Sequence, residues 1–242
     1  MGTLRAKTIE PATGTTLTLG ASGDSITVSS DSIKVNTFKD AGGNTLFTSD
    51  GAGTLSSVNS AFLPAGPILI STSTASNAAS IEITSGIDST YDEYMFVLTD
   101  INPVATQADF GFQVNASGQT GYNETMTTTL FSAYQTESGT DPLLWYNTTD
   151  DQAQGTAYQI ICRQIGNGSD ENGSGEIFLY NPASTTYVKQ FYSRSAEYYG
   201  GNGAFDVFIG GYLNTTSAIN ALTFKISSGN IDAGTIAMYG IS

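Results

Sequence analysis

The chain has 242 residues, of which only 12% are charged, and its formal net charge at pH 7 is −14. It has no histidine and a single cysteine, Cys162, which excludes the usual general base, the usual zinc ligand and an intrachain disulfide. Eight Lys and Arg residues are too few for the cationic patch that nucleic acid or an anionic membrane surface requires, so we expect neither partner.

The composition favours an all-β protein. Glycine occurs 27 times and aromatic residues make up 11% of the chain, which suits short strands joined by polar turns around a core. Residues 1–60 hold four cations and five acids, whereas residues 61–242 hold four cations and seventeen acids. We therefore expect an acidic C-terminal domain, whose charge favours solubility.

Residues 1–60 are predicted to form an N-terminal segment of short β-repeats. Ile26 and Val28, then Ile33 and Val35, alternate with polar residues, and turn-forming Gly, Asp and Ser separate the pairs. Such units have too few apolar side chains to close a core within one chain, so we expect them to stack against identical chains in a homotrimer. The alternative is a flexible Gly- and Ser-rich linker.

Residues 61–242 are predicted to form an antiparallel β-sandwich. Pro64 and Pro67 mark the boundary, and turn signals then recur at the spacing typical of sandwiches. The pattern predicts about eleven strands, near residues 68–71, 79–84, 94–100, 110–115, 127–134, 158–164, 175–181, 187–194, 206–214, 222–227 and 235–241.

The last two predicted strands make the most specific structural prediction. Leu222, Phe224 and Ile226 alternate with polar residues, so Phe224 should face the sandwich interior. The run from Thr235 to Ile241 is apolar on both faces and should lie inside a sheet, between neighbouring strands. Cys162 lies in an apolar strand-like run and is expected to be a small core residue.

Two long loops are predicted, over residues 137–157 and 195–204, and each carries an aromatic pair. Trp145 and Tyr146 lie in the first loop, and Tyr198 and Tyr199 lie in the second. Exposed aromatic rings stack on sugar rings, and loops at one end of a sandwich converge, so these four residues are the predicted glycan-binding or receptor-binding patch. The alternative is that the rings pack into the core.

The acidic residues of the first loop admit three interpretations. Asp150 and Asp151, with Asp141, could be paired carboxylates for glycoside hydrolysis, calcium ligands or solvated surface acids. No nucleotide-binding loop, dinucleotide fingerprint or serine nucleophile motif occurs in the sequence. We therefore predict no catalytic residues, no metal site and no cofactor.

Three stretches resemble tailed-phage virion proteins, in particular fibre-type structural proteins of marine and cyanobacterial phages. They are Ser85–Tyr94 (SGIDSTYDEY), Asn181–Val188 (NPASTTYV) and Ser228–Gly240 (SGNIDAGTIAMYG). The resemblance covers about residues 67–242 and implies a trimeric virion appendage with a jelly-roll-like head. It leaves open whether the appendage belongs to the tail or the capsid, and it carries over no functional residues.

The sequence therefore predicts a non-enzymatic structural component of a phage particle, a trimeric tail fibre or spike. Residues 1–60 would attach it to other virion proteins, and the head would contact host surface glycans. One alternative is a capsid decoration or head-fibre protein, and a second is a polysaccharide depolymerase that uses Asp150 and Asp151.

Overall fold

The computed structural model describes residues 35–52, 55–56, 58–59 and 66–241. The chain divides into two compact units, Met1–Leu63 and Pro64–Ser242. No helix occurs among the described residues, and every strand pair is antiparallel.

The first unit contains a three-stranded antiparallel sheet of β1 (Thr37–Lys39), β2 (Thr45–Ser49) and β3 (Leu55–Ser56). A turn joins β1 to β2, and Asp40 closes it by accepting the backbone N–H of Asn44 on Oδ1 at 2.8 Å. The predicted repeats before Val35 lie outside the described residues.

The described part of the second unit contains thirteen strands, and each of the eleven predicted strands corresponds to a different one of them. The strands are β4 (Ile68–Thr74), β5 (Ile81–Ile83), β6 (Glu93–Pro103), β7 (Ala108–Ala116), β8 (Met126–Thr136), β9 (Leu143–Tyr146), β10 (Ala153–Gly155), β11 (Gln159–Ile165), β12 (Gly173–Tyr180), β13 (Lys189–Tyr199), β14 (Gly203–Leu213), β15 (Ile219–Ile226) and β16 (Ile231–Ile241).

The predicted loops are the main error. Two short strands, β9 and β10, lie inside the predicted loop 137–157, and the predicted loop 195–204 is a tight hairpin that joins two eleven-residue strands. Gly200, Gly201 and Asn202 make up the turn, and they are the only residues between the two strands.

Eight of the strands form a jelly roll. One sheet has the order β4-β16-β6-β12 and the other has the order β5-β15-β7-β11. If these eight strands alone are numbered one to eight in chain order, the first lies beside the eighth (β4 and β16) and the third beside the sixth (β6 and β12). In the other sheet the second lies beside the seventh (β5 and β15) and the fourth beside the fifth (β7 and β11). This is the strand arrangement of a double-sheet jelly roll, so the predicted fold class is confirmed.

The remaining five strands extend the first sheet. The β13–β14 hairpin continues it beyond β12, β8 pairs with β14 along its whole length, and β9 and β10 pair with the two ends of β8. We call the result, β4-β16-β6-β12-β13-β14-β8 with β9 and β10, the extended sheet. Strand β11 touches it through the single pair Ile165–Tyr199, which joins the two layers at a corner.

The core lies between the two sheets. Phe224 is fully buried, stacks on Phe110 at 5.8 Å and contacts the ring of Phe96 from the facing sheet at 6.2 Å. Cys162 is also fully buried, so both predictions are confirmed. The last strand, β16, lies between β4 and β6, as its two apolar faces predicted.

Candidate functional site

The four predicted aromatic residues lie on strands, and this separates each pair. Successive side chains of a strand point to opposite faces, so Trp145 and Tyr199 point inward while their neighbours point outward. Both inward rings pack around Phe205, with centroids 5.9 and 5.1 Å from it. Each is partly buried against the core.

Tyr146 and Tyr198 lie on the outer face of the extended sheet, but not beside each other. Three strand spacings separate them across the sheet and four residues along it, which amounts to about 20 Å. The Tyr146 hydroxyl donates to Asp151 at 2.5 Å, and the Tyr198 hydroxyl donates to Glu137 at 3.2 Å. The four residues therefore do not form the single loop patch that the sequence predicted.

The outer face of the extended sheet carries a groove that crosses the strands. Ser174, Ala196, Asp206 and Ala133 are successive cross-strand partners from β12 to β8 and form its floor. The short side chains of Thr99 and Ala204 line the groove beside this row. Three adjoining cavities, of about 420, 290 and 290 Å³, share lining residues and make up what we call the transverse groove.

An aromatic ridge lies beside the groove, in the row of cross-strand partners next to its floor. Phe208 on β14 and Phe131 on β8 are direct cross-strand partners, and their rings stack at 4.8 Å with an interplanar angle of 4°. Tyr146 on β9 is the next partner in the same row. Phe131 and Tyr146 are 43% and 50% exposed, so the ridge presents apolar surface to solvent beside the polar groove.

The Arg194 side chain on this face is held in place by contacts with two neighbouring side chains. Its guanidinium lies 4.9 Å from the centroid of Phe208 and forms two bonds to Asp206, from Nε to Oδ1 at 3.1 Å and from Nη2 to Oδ2 at 2.8 Å. The hydrogen bonds that Arg194 donates to Asp206, and the charge of that carboxylate, raise the pKa of Arg194. The Arg194 side chain is still 58% exposed and that of Asp206 31%, so both are accessible from solvent.

This arrangement is suited to binding. A guanidinium has five N–H donors, and two of its nitrogens are used by Asp206, which leaves donors directed to solvent next to carboxylate oxygens that accept. A donor and an acceptor at this spacing match two neighbouring hydroxyl groups, and the ridge beside them offers apolar surface. The sheet supplies rigidity, because each of these side chains stands on a paired strand.

The acidic residues named from the sequence are engaged by neighbours. Asp150 forms an ion pair with Arg163 at 2.6 Å and accepts the Asn147 side-chain amide at 2.7 Å. Asp151 accepts the Tyr146 hydroxyl. No group of three or more potential metal ligands occurs among the described residues.

Arg194, Asp206 and Phe208 were not predicted from the sequence. A signal was present, since Tyr192, Arg194 and Ala196 alternate with small polar residues, but the pattern marks an exposed strand face in general. Their juxtaposition depends on the β13–β14 register, which the sequence does not specify.

No protein-family model, no curated protein and no solved structure matches this chain. In the part of the chain that the structure describes, no helix is long and apolar enough to cross a membrane.

Proposed function

We propose that this chain is a non-enzymatic structural protein of a phage virion, a trimeric tail fibre or spike whose jelly-roll unit binds neutral glycans of the host surface. The observation that carries the binding role is the transverse groove, where the fixed Arg194–Asp206 pair lies beside the Phe208–Phe131 ridge. The virion assignment has its support in the resemblance of Ser85–Tyr94, Asn181–Val188 and Ser228–Gly240 to phage fibre proteins.

The charge of the unit argues for a neutral ligand. Residues 61–242 carry seventeen acids and four cations, and the one exposed cation of the groove is already paired with Asp206. An anionic glycan would meet net repulsion unless a cation bridged it. Neutral sugars offer hydroxyl groups to the ion pair and apolar ring faces to the ridge.

A jelly roll supports the proposed role mechanically as well. Its turns and long hairpins tolerate variation while the paired strands keep the groove in place. The three stretches that resemble phage fibre proteins lie in the loop before β6, the turn between β12 and β13, and the turn leading into β16 together with that strand. None of the three contributes a residue to the lining of the groove, although Thr235 in the third stretch pairs with the groove residue Thr99.

Particles carrying Arg194→Gln and Asp206→Asn together test the proposal. We expect adsorption to host cells to fall by about tenfold or more, because hydrogen bonds to charged groups contribute about 1.5–3 kcal/mol each. The matched control is Asp232→Asn, an exposed aspartate of β16 that lies outside the groove. Unchanged adsorption of the double variant would refute the glycan role of the groove.

The location of the protein needs a separate measurement. Labelled antibody or a density map of the particle distinguishes a tail fibre from a capsid decoration or head fibre, and labelling confined to the shell would overturn the tail assignment. Release of reducing ends from host polysaccharide, lost in Asp150→Asn with Asp151→Asn, would favour the depolymerase alternative. The ion pair to Arg163 and the Tyr146 hydroxyl give both carboxylates a structural role, which supports the non-enzymatic proposal.

A further inference from the structure

A second cavity opens on the other side of the sandwich. It has a volume of about 380 Å³ and lies on the outer face of the smaller sheet, where β11, β7 and β15 are neighbours. Its floor is Gly111, the cross-strand partner of both Ile160 and Lys225. A Cβ at Gly111 would lie 2.8 Å from the Gln159 carbonyl oxygen, so only glycine fits there. The space between the side chains of Ile160 and Lys225 is therefore open.

Lys225 is the unpaired cation of this unit. Among the described residues, Arg163 and Arg194 each pair with an aspartate, and the buried Lys189 donates to two backbone carbonyls. Lys225 is exposed and forms no ion pair in this part of the chain. Its Nζ lies 4.2 Å from the centroid of the Tyr158 ring, and this cation–π contact holds the ammonium at the pocket.

An unpaired carboxylate lines the same pocket. Asp109 accepts the backbone N–H of Gln164 on Oδ1 at 2.9 Å, and it forms no ion pair with any described residue, Lys225 included. Burial raises the pKa of Asp109, and the bond from Gln164 and the charge of Arg163 offset this only in part. The pocket therefore presents one positive and one negative group that do not bond to each other.

Two unpaired opposite charges across a partly apolar cavity define the complementary ligand. An anion alone would satisfy Lys225 but would meet the field of a chain with a net charge of −14. A cation alone would satisfy Asp109 but would be placed beside Lys225. A ligand that carries both charges avoids both penalties and leaves Tyr158 and Ile160 to cover its apolar part.

We propose that this pocket binds a small zwitterion of the α-amino acid type. The ligand carboxylate bonds to Lys225 Nζ, the ligand ammonium bonds to the Asp109 carboxylate, and an apolar side chain lies against Tyr158 and Ile160. The site is independent of the transverse groove and of the glycan role proposed for it, since the two lie on different sheets.

Titration of the isotope-labelled full chain, followed by NMR, tests this site with three probes of matched shape. L-Leucine carries both charges, 4-methylpentanoate carries only the carboxylate, and isoamylamine carries only the ammonium. We expect leucine to shift the amide signals of Gly111 and Ile160 saturably, and each single-charge analogue to bind about tenfold more weakly or worse, because each lacks one charge-assisted bond.

Two variants and two controls complete the experiment. Lys225→Met keeps the apolar stem, and Asp109→Asn keeps an oxygen for the Gln164 N–H, so both should fold and both should weaken leucine binding about tenfold or more. The controls Lys39→Met and Asp232→Asn should bind leucine as the parent chain does. Should Asp109→Asn fail to fold, Lys225→Met decides alone.

Three outcomes would overturn the proposal. Leucine could leave the signals around Gly111 unchanged, 4-methylpentanoate or isoamylamine could bind as tightly as leucine, or Lys225→Met could bind leucine normally. The first outcome would mean that the pocket takes no amino acid, the second that only one of its charges matters, and the third that Lys225 is held by Tyr158 alone.

Discussion

At the scale of single residues, the buried Glu197 makes stability depend on pH. Its Oε1 accepts the Arg163 backbone N–H at 2.8 Å, and its Oε2 lies 3.1 Å from Ser195 Oγ. The single hydroxyl proton of Ser195 is committed to the Ile161 carbonyl at 2.5 Å. A proton on Glu197 therefore satisfies the second contact, in agreement with burial, which raises the pKa of Glu197 to about 8.

The sign of the pH effect follows from that shift. The pKa of Glu197 is higher in the folded chain than its ordinary value of 4.5, so folding takes up a proton between the two values. The stabilisation is complete below about pH 4.5 and is lost as the pH rises towards about 8, by at most ~1.4 kcal/mol per pH unit. Glu197→Gln keeps both bonds without titrating, so it should flatten this part of the profile and be the more stable chain at pH 8.

Urea melts of both chains from pH 4 to pH 8 measure the difference. The exposed Glu82→Gln serves as the control and should run parallel to the parent chain. Parallel curves for Glu197→Gln as well would show that Glu197 is ionised in the folded protein, and the assignment of its proton would be wrong.

Phe224 is the second prediction at this scale. Its ring is fully buried among Phe96, Phe110 and Phe112, so Phe224→Ala should lower the free energy of unfolding by roughly 3–5 kcal/mol. Denaturant melts check this, with the exposed Ser228→Ala as the control. A loss below about 1 kcal/mol, which is near the range of surface substitutions, would contradict the packing.

The two residues show what sequence could give at this scale. Phe224 was predictable, because an aromatic residue flanked by Leu222 and Ile226 at period two has only one favourable face. Glu197 was not, since a glutamate is normally exposed, and its burial depends on β11 covering β13.

At the scale of elements, strand β9 makes neighbouring residues differ in role. Trp145 packs against Phe205, and the guanidinium of Arg163 lies 5.6 Å from the centroid of the Trp145 ring. Tyr146 stands on the opposite face, at the end of the aromatic ridge. We therefore expect Trp145→Ala to lower the free energy of unfolding by about 2 kcal/mol, which is less than the loss when a fully buried tryptophan is truncated.

Tyr146→Ala should cost less than about 1 kcal/mol, yet it should weaken adsorption to host cells. Thermal melts and adsorption assays on both single variants check the contrast. Equal destabilisation by the two substitutions would mean that β9 does not pair with β8 in the register Trp145–Ser132 and Tyr146–Phe131.

The elements were predictable in number and position but not in partnership. Turn residues and alternation are local, so they located eleven strands. They did not reveal β9 and β10, whose runs of four and three residues lie among polar residues. Nor could local pattern place β14 against β8, because that pairing joins residues 81 positions apart, as the bond from Thr129 to Gly210 shows.

At the scale of the whole molecule, the two units differ in how far they cover their own apolar side chains. The described strands of the first unit leave Phe38 and Leu55 47% and 53% exposed, which is consistent with the proposed association of identical chains. The jelly roll, in contrast, has a closed core between its own sheets. We therefore expect the first unit to drive trimer formation and the second to fold without it.

Light scattering of the full chain should give about three times 25.3 kDa, and removal of residues 1–60 should give a folded monomer. Each head carries one transverse groove, so a trimer presents three and gains avidity. The truncated chain should keep the affinity of a single groove for a soluble oligosaccharide while its retention on host cells drops by about 10²–10⁴-fold. A full-length monomer, or a truncated chain that remains trimeric with its retention intact, would show that residues 1–60 do not assemble the protein.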